Sequence, residues 1–77
     1  MKEDYKLVDV YELKIKEKIY FKAIIYDKVN HICIDVFIDE DNYDLLTNEY
    51  INTYIDDYIK FRYNHKEKKY QIYISAI

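Results

Sequence analysis

Three stretches in the first half of the chain alternate apolar and polar positions with a period of two, which places successive side chains on opposite faces of a strand. Residues 6–16, KLVDVYELKIK, put Leu7, Tyr11, Leu13 and Ile15 on one face. Residues 19–27, IYFKAIIYD, put Ile19, Phe21, Ala23 and Ile25 together, and residues 31–38, HICIDVFI, align Ile32, Ile34, Val36 and Ile38. The connections near Glu17 and at residues 28–30 are short, which favours antiparallel hairpins over crossovers. A last stretch, KYQIYISAI at residues 69–77, reads as a further strand with Tyr70, Ile72 and Ile74 inward.

Between these strands the pattern changes. Residues 49–63, EYINTYIDDYIKFRY, repeat a Tyr-Ile pair every four residues. On a helix beginning near residue 42, Leu46, Tyr50, Tyr54 and Tyr58 form one row, and Ile51, Ile55 and Ile59 form the next. Asp41 suits the N-cap, and Asp44 suits the first turn near the positive end of the helix dipole. Tyr, Ile and Thr individually prefer strands. A competing parse therefore ends the helix near Asp57 and pairs YIKFRY with KYQIYI as a closing hairpin. Periodicity favours the long helix. The expected architecture is a single α+β domain: a small curved antiparallel sheet of about four strands in βββαβ order, packed against one amphipathic helix.

One helix covers one face of a sheet. The other face of these strands carries Val8, Val10, Tyr20, Ile24, Tyr26, Cys33, Phe37 and Tyr73, enough apolar surface to form an interface if it is contiguous. On the helix, the Ile row is expected to meet the sheet, leaving part of the Tyr row at the rim.

Composition narrows the picture. At 77 residues the chain is near the lower limit for one self-sufficient core, and its single Cys33 offers no intramolecular disulfide. It has neither Gly nor Pro, so its turns must use other residues, with Asn30, Asn42 and Asn64 the candidates for left-handed backbone. The same absence excludes Gly-rich phosphate loops and dinucleotide fingerprints. No apolar run approaches the roughly 20 residues needed to cross a bilayer, and the opening MKEDYK lacks an apolar signal segment. A cytoplasmic protein with no membrane association is the expectation. Heavy use of Ile, Lys, Asn and Tyr points to an AT-rich genome, such as that of a low-GC bacterium or one of its phages or mobile elements.

Charge is strongly segregated beneath a net value of −3. Residues 31–59 carry eight acids (Asp35, Asp39, Glu40, Asp41, Asp44, Glu49, Asp56 and Asp57) and no Lys or Arg, whereas residues 60–77 carry five bases and one acid. Helix-dipole preference explains only part of this order. A rigid acidic surface can compete for a basic groove that ordinarily holds nucleic acid. The leading functional expectation is therefore a small binding protein that inhibits or modulates a macromolecular partner, for example an anti-defence inhibitor. Its candidate partner-binding residues are Asp39, Asp41, Asp44, Glu49, Tyr50, Tyr54, Asp56, Asp57 and Tyr58. Two alternatives stand beside it. One is a nucleic-acid-binding module using the basic C-terminal loop, where Arg62, His65, Lys66, Lys68 and Lys69 lie among Tyr63 and Tyr70. The other is a homodimer built on the second sheet face.

Chemistry-bearing sets are weak. His31, Cys33 and Asp35 alternate on one strand, but this is not a zinc spacing. The DEDNYD run lacks the turn glycine and the terminal Glu of a calcium loop. With two His and one Cys, nucleophile–base–orienter sets are few, so neither enzymatic activity nor a metal or other cofactor is expected.

Overall fold

The computed structural model describes residues 3–75. It is α+β, with five strands in two antiparallel sheets and one helix. Strands β1 (Tyr5–Ile15), β2 (Lys18–Asp27) and β3 (Ile32–Ile38) form a meander; helix α1 (Glu40–Glu49) follows, then a 3-10 turn at Asp56–Tyr58, and β4 (Ile59–Asn64) pairs with β5 (Lys69–Ile74) as a separate hairpin. The order is thus βββαββ, one strand beyond the expected βββαβ. Met1, Lys2, Ala76 and Ile77 lie outside the described residues, and with them the ends of the N-terminal and final-strand readings. Among the described residues no helix is long and apolar enough to cross a membrane.

The alternation along β2 and β3 holds over their central positions, whereas Ile19 and Ile32, expected on the same faces, are exposed near the strand ends. Phe21, Ala23 and Ile25 share the inner face with Ile34, Val36 and Ile38, which oppose them in register. Along β1 the expected face is wrong. The register runs from Leu7↔Ile25 to Asp9↔Ile24 and Val10↔Ala23, leaving Val8 as an extra residue. An extra residue reverses the parity of everything beyond it. Val10 therefore joins Leu7 in the core, while Tyr11, Leu13 and Ile15 turn to the outer face beside Lys22, Tyr20 and Lys18.

The inner face is covered by several short pieces. Leu7, Val10, Ala23, Ile25 and Val36 of the meander pack with Leu46 of α1 and with Ile55, Ile59 and Ile74. Helix α1 lies against β1 and β2, and β5 lies beside β3. Fully burying each such side chain contributes about 1.5–3 kcal/mol, so a core of this size has little surplus.

The long helix through residue 59 is not formed. Helix α1 ends at Glu49, with Tyr50 as its C-cap donating to the Leu46 carbonyl. Asn52 then takes left-handed backbone at φ 66°, and the Thr53 hydroxyl and N–H both donate to the Tyr50 carbonyl. Residues 52–55 run alongside β1: Leu7 N–H donates to Thr53 O, Asn52 N–H to Leu7 O and Ile55 N–H to Tyr5 O, each at 2.8 Å. The β-preferring Tyr, Ile and Thr of this stretch satisfy their backbone against an otherwise open strand edge, an option a helix cannot use. Ile55 and Ile59 still reach the core as the Ile row required, but from an edge segment and a strand.

Left-handed backbone occurs at Lys16, His31, Asn52 and Lys68, not at Asn30, Asn42 or Asn64. Two of those Asn residues act through their side chains. Asn64 Oδ1 accepts from Lys66 and Glu67 N–H, and Asn30 Nδ2 donates to Asp27. Asn42 lies within α1 and is buried.

Candidate functional site

Helix α1 carries the concentrated acidity. Asp39, not Asp41, is its N-cap, with Oδ1 accepting the Asn42 N–H at 2.8 Å. Glu40 and Asp41 occupy the first turn, where the positive end of the helix dipole favours carboxylates; Asp44 lies beyond that turn. Asn42 and Leu46 form the buried side, and Asp41 and Asp44 project from the far side into solvent. The exposed Glu49 sits in the last turn, which has no base, and there the dipole disfavours a negative charge. Among the described residues the ion pairs are Lys22–Asp35 and Lys69–Glu67. None of the described bases pairs with the carboxylates of Asp39, Glu40, Asp41, Asp44 or Glu49.

The remaining sequence-predicted residues separate from this helix. Tyr50 and Tyr58 cover each other, with ring centroids 5.6 Å apart in an edge-on contact and hydroxyls 3.4 Å apart, and both pack on the core. That hydroxyl contact, followed by burial, holds the Tyr50 phenol above its ordinary value. Tyr54 is exposed beside β1, with Lys28 Nζ 6.0 Å from its ring. Asp56 is engaged in the fold, its carboxylate accepting from Asp4 N–H at 3.0 Å and Tyr5 N–H at 3.2 Å. Asp57 is exposed in the 3-10 turn. The structure thus strings Asp39, Asp41, Asp44 and Glu49 along one helix, with Asp41 and Asp44 on its outer side and Glu49 at its C-terminal end, in line with Asn42 and Leu46. Tyr54 and Asp57 stay accessible elsewhere, while Tyr50, Asp56 and Tyr58 serve the packing.

The outer face of the meander holds an organised cluster that alternation alone misassigned in part. Tyr11 O–H donates to Asp35 Oδ2 at 2.7 Å, and Lys22 Nζ lies 3.3 Å from Asp35 Oδ1 and 4.1 Å above the Phe37 ring. Tyr20 meets Phe37 edge-on. The hydrogen bond to Asp35, with smaller effects from burial and from the carboxylate charge, raises the Tyr11 phenol above its ordinary value. Tyr20, Cys33 and Phe37 were legible as outer-face residues, whereas Tyr11 required knowledge of the bulge.

Between the neighbouring edges of β3 and β5 runs an open groove of about 510 Å3, with Phe37 and Tyr70 among its lining residues. As for ligand sets, the His31 ring nitrogen Nδ1 lies 3.2 Å from the Tyr26 hydroxyl, and Cys33 is exposed. Among the described residues no three His, Cys, Asp or Glu side chains are grouped to hold a metal ion. No protein-family model matches the chain, and neither a curated protein nor a solved structure matches it.

Proposed function

We propose that this chain is a small, non-enzymatic binding protein of the cytoplasm that inhibits or modulates a protein partner by docking the exposed carboxylates of α1 on a basic surface. The observation that carries this reading is the set of exposed carboxylates on α1 with no base within ion-pairing distance among the described residues. Glu49 adds weight, since helix stability disfavours an acid at that end. Surface charges unneeded by the fold act at long range, steering association with a complementary surface and making it sensitive to salt. A partner whose groove ordinarily holds nucleic-acid phosphates has the matching chemistry, and blocking such a groove is one way a phage or mobile-element product acts against a host defence.

Capture from a bacterial lysate at low and high salt, using the wild-type chain and an Asp41→Asn/Asp44→Asn/Glu49→Gln variant, tests this. Asp56 is left intact, because its carboxylate holds Asp4 and Tyr5. The expected result is a basic protein that is released by salt and not captured by the variant, and whose own nucleic-acid binding falls as wild-type chain is added. Undiminished capture by the variant would overturn the reading.

A further inference from the structure

The basic C-terminal segment, which the acidic helix leaves unexplained, forms the free end of the β4–β5 hairpin. Its register, Ile59↔Ile74, Phe61↔Ile72 and Tyr63↔Tyr70, places an apolar row from each strand on one face. Only the base of that row is buried: Ile59 and Ile74 belong to the core, while Phe61 is 60%, Tyr63 40% and Tyr70 71% exposed. Three large rings on one face of a solvated ribbon are not what a structural hairpin needs.

The rings are ordered among themselves. Tyr63 meets Tyr70 at 5.1 Å and His65 at 5.0 Å, both edge-on. The turn that follows is built, with Asn64 Oδ1 accepting two backbone N–H groups and Lys68 at φ 55°. It exposes Lys66 and Lys68 between the two strands that carry the rings, while Lys69 on β5 pairs with Asn64 and faces the other side of the ribbon. The one acid here, Glu67, is occupied by Lys69 Nζ at 3.4 Å and Gln71 Nε2 at 3.2 Å. Phe37, 62% exposed on β3, lies along the same groove as Tyr70. Asp35 also lines that groove, and its charge is opposed by Lys22.

We infer that this hairpin and groove bind single-stranded nucleic acid, with bases stacked on Phe61, Tyr63 and Tyr70 and phosphates held by Lys66 and Lys68 of the turn. Exposed ring faces suit unpaired nucleobases, which stack on them regardless of sequence, and neighbouring lysines meet the phosphates. A duplex offers no free base faces to these rings, and an apolar peptide would not call for the positive charge. The surface is separate from α1, so the inference does not depend on the protein-partner reading.

The test is fluorescence anisotropy of labelled oligothymidylate and oligouridylate with the full chain over a range of salt. Binding is expected at low salt. Changing Lys66 and Lys68 together to Gln should weaken it and reduce the slope of log affinity against log salt by about 1.4, at about 0.7 per phosphate contact. Tyr70→Ala should weaken binding about tenfold, in the range of one lost stack, with Tyr70→Phe near wild type. Asp41→Asn/Asp44→Asn/Glu49→Gln should leave binding intact or tighter, which keeps this outcome distinct from the fate of the α1 reading. Circular dichroism confirms that each variant is folded. Three results would overturn the inference: no binding at low salt, duplex bound as tightly as single strand, or lysine dependence with no loss in folded Tyr70→Ala and Phe61→Ala. Self-association abolished by Tyr70→Ala would also overturn it, by assigning the rings to a second copy.

Discussion

The meander, apart from the bulge in β1, and the β4–β5 hairpin obey the same two-residue alternation and meet opposite fates. In the meander, Leu7, Ala23 and Ile25 are completely buried because α1 and the segment after it form a second layer. In the hairpin, the row beginning at Ile59 and Ile74 continues outward through Phe61, Tyr63 and Tyr70, which stay largely exposed, with Tyr5 meeting Phe61 edge-on at a centroid distance of 6.5 Å. Alternation specifies which residues share a face, and covering that face requires a second element. The contrast separates residues that hold the fold from residues free to meet a partner.

The most forceful way to break this contrast is to truncate one residue from each region. Leu46→Ala should cost about 2–5 kcal/mol in urea or thermal unfolding, because it opens a cavity beneath the meander. Phe61→Ala should stay within about 0.5 kcal/mol as a surface change. Similar losses for both would mean that the hairpin rings are covered, and would remove the distinction.

A smaller effect sharpens it within the acidic set. Asp56→Ala should cost about 1–3 kcal/mol, since two backbone N–H groups lose a charged acceptor. Asp57→Ala, next to it and exposed, should be neutral within about 0.5 kcal/mol. Equal values in denaturant titration would contradict the division between structural and free acids.

The smallest effect concerns acid. The Asp27 carboxyl is held below its ordinary 3.8 chiefly by the Asn30 side-chain amide, then by the backbone N–H groups of Asn30 and Val29. Because its folded value is the lower one, its stabilisation is complete above the unfolded value and disappears as pH falls through the folded value. Asp27→Asn should therefore flatten the loss of stability below about pH 4 without altering the neutral-pH hairpin contrast. An unchanged acid limb in unfolding midpoints would assign that loss to other carboxylates.

Much of the core was legible. The inner faces of β2 and β3 follow from the alternation of Phe21, Ala23 and Ile25 and of Ile34, Val36 and Ile38, since a strand buried on one side has no other way to sort its residues. The parity change after Val8 was not legible, because a bulge depends on the partner strand's register as much as on its own residues. The end of α1 was likewise hidden: the Tyr-Ile spacing fits a helix, and the strand alternative gains only when the open edge of β1 supplies hydrogen bonds. The candidate site divided along similar lines. Asp39, Asp41, Asp44 and Glu49 stood out by charge alone, whereas the engagement of Asp56 with Asp4 and Tyr5, more than fifty residues earlier, depends on chain crossings that local pattern does not encode.

By itself the sequence determined the α+β class, the shared faces of β2 and β3, the segregation of acids from bases and the lack of glycine-dependent motifs. These are properties of side-chain period, composition and charge, which act locally. Only the tertiary structure decided where the helix stops, which tyrosines cover one another and which aromatic rows stay bare. Each of those depends on what a distant segment offers: a free strand edge, a second ring, or an incomplete covering layer.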